Sequence, residues 1–207
     1  MTFLEQIVKD IDWRVSELAT LTTLPYRYKI AEIHVQTLLF YSVPAVYALW
    51  EGFVKYSFTQ YVRYINTLNI PINTVNENVL THALTNSLSL NLENGITNFN
   101  SKKKYICAIH MLHMNPLVIS EEIPTHSNVN YEIINDILLR FNLSELDPKY
   151  KRPLNKLLHY RNSLAHGERI LPVTKKTIEE FGNLLQDLMT EIYSKIEDGY
   201  NNKTYLK

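Results

Sequence analysis

The sequence predicts an all-α fold: a single helical bundle over residues 1–207 with a long kinked second helix. Two observations carry that prediction. Apolar residues recur at three- and four-residue steps from Phe3 to Ile192, the spacing that lines one face of an α-helix. Chain breakers are scarce, 5 Gly and 8 Pro, and Pro71, Gly95, Pro116 and Gly167 fall at the ends of periodic stretches, where helices stop.

The first helix is read from Phe3, Leu4, Ile7, Val8, Ile11 and Val15, about four turns. A longer pattern runs from Tyr26 to about Leu68, and Pro44 within it predicts a kink or a break, because proline removes a backbone donor and clashes with the preceding turn. Val46, Leu49, Trp50, Phe53 and Val54 make a strong core face there, and Ile70-Pro71-Ile72-Asn73 ends it. Residues 73–128 are least regular: short apolar repeats from Val79 to Leu90 lie among Asn and Thr, which favour caps and turns. Asn94-Gly95 signals a turn. Lys102-Lys103-Lys104 opens a short apolar run to Met114 that Asn115-Pro116 closes. Ser127-Asn128-Val129-Asn130 reads as a helix start ahead of Ile133, Ile134, Ile137 and Leu138. Leu154 to Ala165 is a further helix, with Gly167 placed to cap it in a left-handed conformation. Thr174 offers an N-cap to a last helix carrying Ile178, Phe181, Leu184, Leu185, Leu188 and Ile192. From Asp198 the sequence turns polar and is expected to fray.

Lys+Arg and Asp+Glu balance at 21 each, so no whole-molecule field draws in a polyanion, and a nucleic-acid site must be a local patch. A single cysteine, Cys107, excludes an internal disulfide framework and fits a reducing compartment. The first twelve residues lack the basic and apolar blocks of a signal peptide, and no uncharged apolar run of transmembrane length is apparent. A cytoplasmic protein without a membrane partner is the expectation.

The segment Arg161-Asn162-Ser163-Leu164-Ala165-His166-Gly167 is the most informative. It combines a permanent cation suited to phosphate, an amide, and a side chain that exchanges protons near neutral pH, a minimal set for cleaving a phosphodiester without metal. On a helical wheel Leu158, Arg161 and Ala165 fall within roughly 40° of Leu154, so Arg161 points along the apolar face, while His159, Asn162 and His166 form a neighbouring stripe. A guanidinium there is costly unless it is paired or lines a wet cleft. Arg161 and His166 are about 140° apart on an ideal helix. Either the helix distorts towards Gly167, or two chains pack with their motifs facing, bringing two copies of each residue into one cleft. The plainer reading pairs Arg161 with a carboxylate on a neighbouring helix, Glu51 or Glu32, and leaves His166 as a cation favoured by the helix C-terminus.

Other constellations are weaker. His110 and His113 are three apart but lack the Cys or carboxylate cluster of a metal site. His159 shares the His166 stripe. Lys149, Lys151, Arg152 and Lys156 form a basic run that reads either as an RNA-backbone track or as a solvated helix start. Lys102 to Lys104 is a weaker run of the same kind. Glu51 has Lys55 one turn on, with Arg161 as the competing partner. Gly-rich phosphate loops, nucleophile elbows and Cys–His signatures are missing.

Arg161 through Gly167 resembles the Arg-Asn-x-x-x-His signature of HEPN domains, in the version ending Ala-His-Gly. Upstream, Tyr47-Ala48-Leu49-Trp50-Glu51-Gly52-Phe53 resembles the Trp-Glu-Gly-Phe segment of the MAE-like and RiboL-PSP-type HEPN branch. Two motifs in that order are far more specific than either alone, and the resemblance covers about residues 30–195. It implies an all-α bundle, commonly dimeric, in a family rich in metal-independent ribonucleases of toxin–antitoxin and phage-defence systems. Arg161 and His166 match the catalytic pair, and Asn162 matches the polar residue after the arginine, there to orient His166 or contact phosphate. Glu51 and His159 are supporting candidates, and Lys151, Arg152 and Lys156 are candidates for the RNA backbone. The implied reaction is 2′-hydroxyl attack on the adjoining phosphodiester of RNA, with no cofactor, in a homodimer with a composite site, and with a cognate antitoxin as a partner. A second reading within the family is a catalytically silent module that docks a protein or nucleotide.

Overall fold

The computed structural model describes residues 1–88, 98–114, 116–126, 128–168 and 172–207, with backbone alone at 85–88, 108 and 111–114. Seven α-helices appear among them: α1 (Phe3–Arg27), α2 (Glu32–Thr67), α3 (Glu77–Leu88), α4 (Phe99–Met114), α5 (Tyr131–Arg140), α6 (Lys151–Ala165) and α7 (Lys175–Asn202). The all-α prediction holds.

Helix α1 is about twice the expected length, and the break before α2 falls at residues 28–31 instead of ahead of Tyr26. Its N-terminus is fixed by a capping box between Thr2 and Glu5. The Thr-rich stretch that neither sequence pattern covers is helical, and there Thr20, Thr22 and Thr23 donate their hydroxyls back to the carbonyls of Ser16, Leu18 and Ala19.

Helix α2 is the central element and packs against α1, α6 and α7. Of the kink or break expected at Pro44, the break does not occur, and the helix is continuous through it: its apolar face is enclosed and burial outweighs one missing backbone bond. Trp50, Phe53, Val54, Phe58, Tyr61 and Val62 are fully buried along it. By length and composition this helix qualifies to cross a bilayer, with an 18-residue window of mean hydropathy 1.3, which corrects the expectation that no such run exists. Half of that window is buried inside the bundle, as in the core helix of a bundle.

Helices α3 and α4 occupy part of the region that reads as irregular; Asn94-Gly95, Asn115 and Ser127 lie outside the described residues. Asn130 caps α5, accepting from the backbone N–H of Ile133, and Thr174 caps α7, both as expected. The expected fraying after Asp198 does not occur. Helix α7 runs to Asn202, Lys203 turns the chain in a left-handed conformation (φ 53°), and Tyr205 is buried. The Asn76 N–H donates to the Tyr205 carbonyl at 2.8 Å and the Lys207 N–H to the Thr74 carbonyl at 2.9 Å. Tyr205 seats edge-on to Tyr61 and Tyr64, so one aromatic side chain holds a polar stretch that would be loose by composition.

Candidate active site

The site is built at the end of α6. Ala165 closes the helix and His166 caps it; the Gly167 N–H donates to Leu164 O at 3.0 Å and the Glu168 N–H to Ser163 O at 2.9 Å. This is the Schellman arrangement, which needs a left-handed residue, and Gly167 supplies it at φ 76°. His166 precedes that reversal. Its N–H still donates to Asn162 O at 3.1 Å, so it keeps the helical register, and the turn comes one residue too late to swing it towards Arg161. Helix distortion therefore does not close the angular gap. His166 is exposed, and its imidazole has no hydrogen bond to another described residue.

Arg161 points where the wheel places it, onto α2. Its guanidinium lies over the Tyr47 ring at 4.7 Å, a cation–π contact. Nη1 donates to Asn162 Oδ1 at 2.8 Å and to Asn128 Oδ1 at 3.1 Å. A guanidinium only donates, so both amides must present oxygen to it. Asn162 thus orients Arg161, not His166. The ring and both amides are neutral groups. Glu51 instead forms an ion pair with Lys55 at 2.7 Å, and Glu32 accepts from Gln36 at 2.9 Å. The Tyr47 phenol is pushed up to about 12, mainly by burial, with a smaller contribution from the Glu51 carboxylate.

The Trp50-Glu51-Gly52-Phe53 segment is explained by what it touches. Trp50 Nε1 donates to Val129 O at 3.0 Å, and the Tyr47 hydroxyl accepts from the Val129 N–H at 2.6 Å. Phe53 is core. At Gly52 an added Cβ would meet Nη1 of Arg14 at 3.0 Å; Arg14, buried on α1, donates to Leu49 O at 2.8 Å and pairs with Asp10 at 2.6 Å. Neither Arg14 nor Asn128 is singled out by the sequence reading. The charged pair at Asp10 and Arg14, four apart on an otherwise apolar face, was the available signal for the first.

The remaining candidates disperse. His159 is exposed and forms no side-chain hydrogen bond with another described residue. The basic run is occupied: Lys149 pairs with Asp147 (3.2 Å), Lys151 with Glu132 (3.1 Å) and Lys156 with Glu180 (3.1 Å). Exposed Arg152 lines a shallow groove with Lys156, Glu180 and Phe181. His110 is exposed and the His113 side chain lies outside the described residues; among the described residues no group of three or more His, Cys, Asp or Glu is placed to hold a metal.

Compared with known families, the chain matches the one described as MAE_28990-like HEPN over residues 3–205, a wider span than the two motifs cover. No curated protein and no solved structure matches.

Proposed function

The chain belongs to the MAE_28990-like HEPN family, and on that premise we propose that it is a metal-independent endoribonuclease using Arg161 and His166. The observation that carries the reading is the guanidinium of Arg161 held by Asn128, Asn162 and Tyr47 at the same helix end as a solvent-facing His166. Donors fixed in place before reaction stabilise developing charge without reorganising. Arg161 serves the non-bridging oxygens. The 2′-oxygen forms a bond to phosphorus, the bond from phosphorus to the 5′-oxygen breaks, and the products are a 2′,3′-cyclic phosphate and a 5′-hydroxyl. His166 takes the 2′-hydroxyl proton, and the imidazole of a second copy protonates the departing 5′-oxygen. Because one chain does not aim both residues at one atom, the site is composite across a homodimer. A cytoplasmic toxin or phage-defence effector with a cognate antitoxin is the biological setting we propose.

The test is incubation of the purified protein with single-stranded RNA in EDTA. Cleavage should persist, leave cyclic phosphate ends, and fall by a factor of about 10² to 10⁴ in His166→Ala, with a similar loss in Arg161→Ala. RNA carrying 2′-deoxy sugars should remain intact. Equal cleavage by His166→Ala overturns the assignment. The ion-paired lysines on α6 favour one other reading, a silent docking module, and a wild-type protein that binds but never cuts RNA would select it.

A further inference from the structure

Between α4 and α5, residues 116–126 and 128–130 run antiparallel along α2 as a strap. Near one end, Asn66 clamps Ile119 twice, donating to its carbonyl and accepting from its N–H, both at 2.9 Å. Further on, Glu121 meets Arg63 at 2.7 Å and its carbonyl accepts from Thr59 at 3.3 Å. At the other end Tyr47 and Trp50 hold both the N–H and the carbonyl of Val129. Between these clamps the strap stands off α2, leaving a groove of about 680 Å³ lined by Lys55, Thr59 and residues 121–126. The clamps fix its ends, and Ile119, Ile123 and Val129 bury against the core along it.

Asn128 is the residue next to the Val129 clamp, and its Oδ1 accepts from Arg161 at 3.1 Å. Two acceptors and a ring define the plane and direction of a guanidinium; Asn162 is adjacent on the same helix, so Asn128 is the acceptor that ties that direction to the strap. We infer that Asn128 is a positioning residue for Arg161, and that Tyr47 and Trp50 act on the site by seating the strap that carries it. This gives the segment from Tyr47 to Phe53 a role in the reaction without contact to RNA. The inference rests on the ribonuclease reading for its kinetic consequence but not for its structural one.

The experiment uses the full chain in a Trp13→Phe background, which leaves Trp50 as the sole tryptophan and its emission as a reporter of the seated strap. The Nε–H resonance of Arg161, identified by its loss in Arg161→Ala, reports the guanidinium. Kinetics are read with a fluorophore–quencher single-stranded RNA oligonucleotide of mixed sequence. In Asn128→Ala the Arg161 resonance should shift or broaden, Trp50 emission should stay unchanged, and kcat should fall roughly tenfold to a hundredfold with KM held, as expected for a misaimed group. In Asn128→Asp the resonance should stay ordered while KM rises, because a carboxylate beside Arg161 opposes the incoming phosphate. An Arg161 resonance identical to wild type in Asn128→Ala overturns the inference, as does a normal kcat in a variant whose resonance has moved. If the wild type does not cut RNA, the ribonuclease reading fails, and the resonance alone decides whether Asn128 positions Arg161.

Discussion

Two arginines approach the same stretch of α2 from different sides, and the groups that hold them differ. Arg14 comes from α1 and answers its charge with a carboxylate, Asp10, plus the Leu49 carbonyl, in space left open by Gly52. Arg161 comes from α6, about 140° round the helix from Gly52 at its Tyr47 contact, and its contacts to Tyr47, Asn128 and Asn162 are with dipoles and a ring. Arg14 is committed to the fold by its internal ion pair, while the ring and the two amides set the direction in which the Arg161 guanidinium points. His82 is a third case. It is buried on α3, edge-on to Phe141, with neither ring nitrogen hydrogen-bonded among the described residues, and burial lowers its pKa to about 4, so it stays neutral.

The contrast breaks most directly if the two arginines exchange phenotypes. Arg14→Ala strands Asp10 in a poorly solvated site and should cost about 3 kcal/mol in urea unfolding, as breaking a buried pair does, whereas Arg161→Ala should cost far less stability while removing cleavage. Comparable stability losses in the two variants would sink the distinction. For His82 the unfolded chain binds the proton more tightly than the folded one. Stability present above pH 6.5 should therefore be lost as pH falls towards 4, by about 3 kcal/mol in all. That acid-dependent component should vanish in His82→Leu, measured as unfolding midpoints against pH. Tyr47→Phe keeps the ring under Arg161 but strands the buried Val129 N–H. It should cost about 1–2 kcal/mol of stability and lower kcat together with it. Smallest is Gly52→Ala: the helix gains up to about 1 kcal/mol in propensity and loses it as Arg14 yields to the new methyl, so its midpoint should move little.

Local signals made the frame of this site legible. Gly167, Thr174 and Asn130 act where their own chemistry predicts, because a cap is satisfied within a few residues. The orientation of Arg161 followed from counting along one helix. What connects helices was not legible. The strap has no periodicity, and its course depends on Asn66, Tyr47 and Trp50, more than fifty residues from the atoms they hold. Glu51 takes Lys55, one of the two partners the sequence offered, but charge in a sequence does not say which opposite charge on another helix is nearest. Lys151 and Lys156 find Glu132 and Glu180 on neighbouring helices. Helix α1 outran its prediction through the Thr-rich stretch, where hydroxyls that usually compete with helix are turned back onto it.

Tyr205 closes the aromatic cluster around Tyr61 and Tyr64, and its backbone pairs with Asn76, a residue met much earlier in the chain. A ribosome makes residue 76 long before residue 205. During synthesis, then, the loop after α2 waits without its partner while α3 through α7 emerge, and the cluster can seat only once residues 203–207 have cleared the exit tunnel.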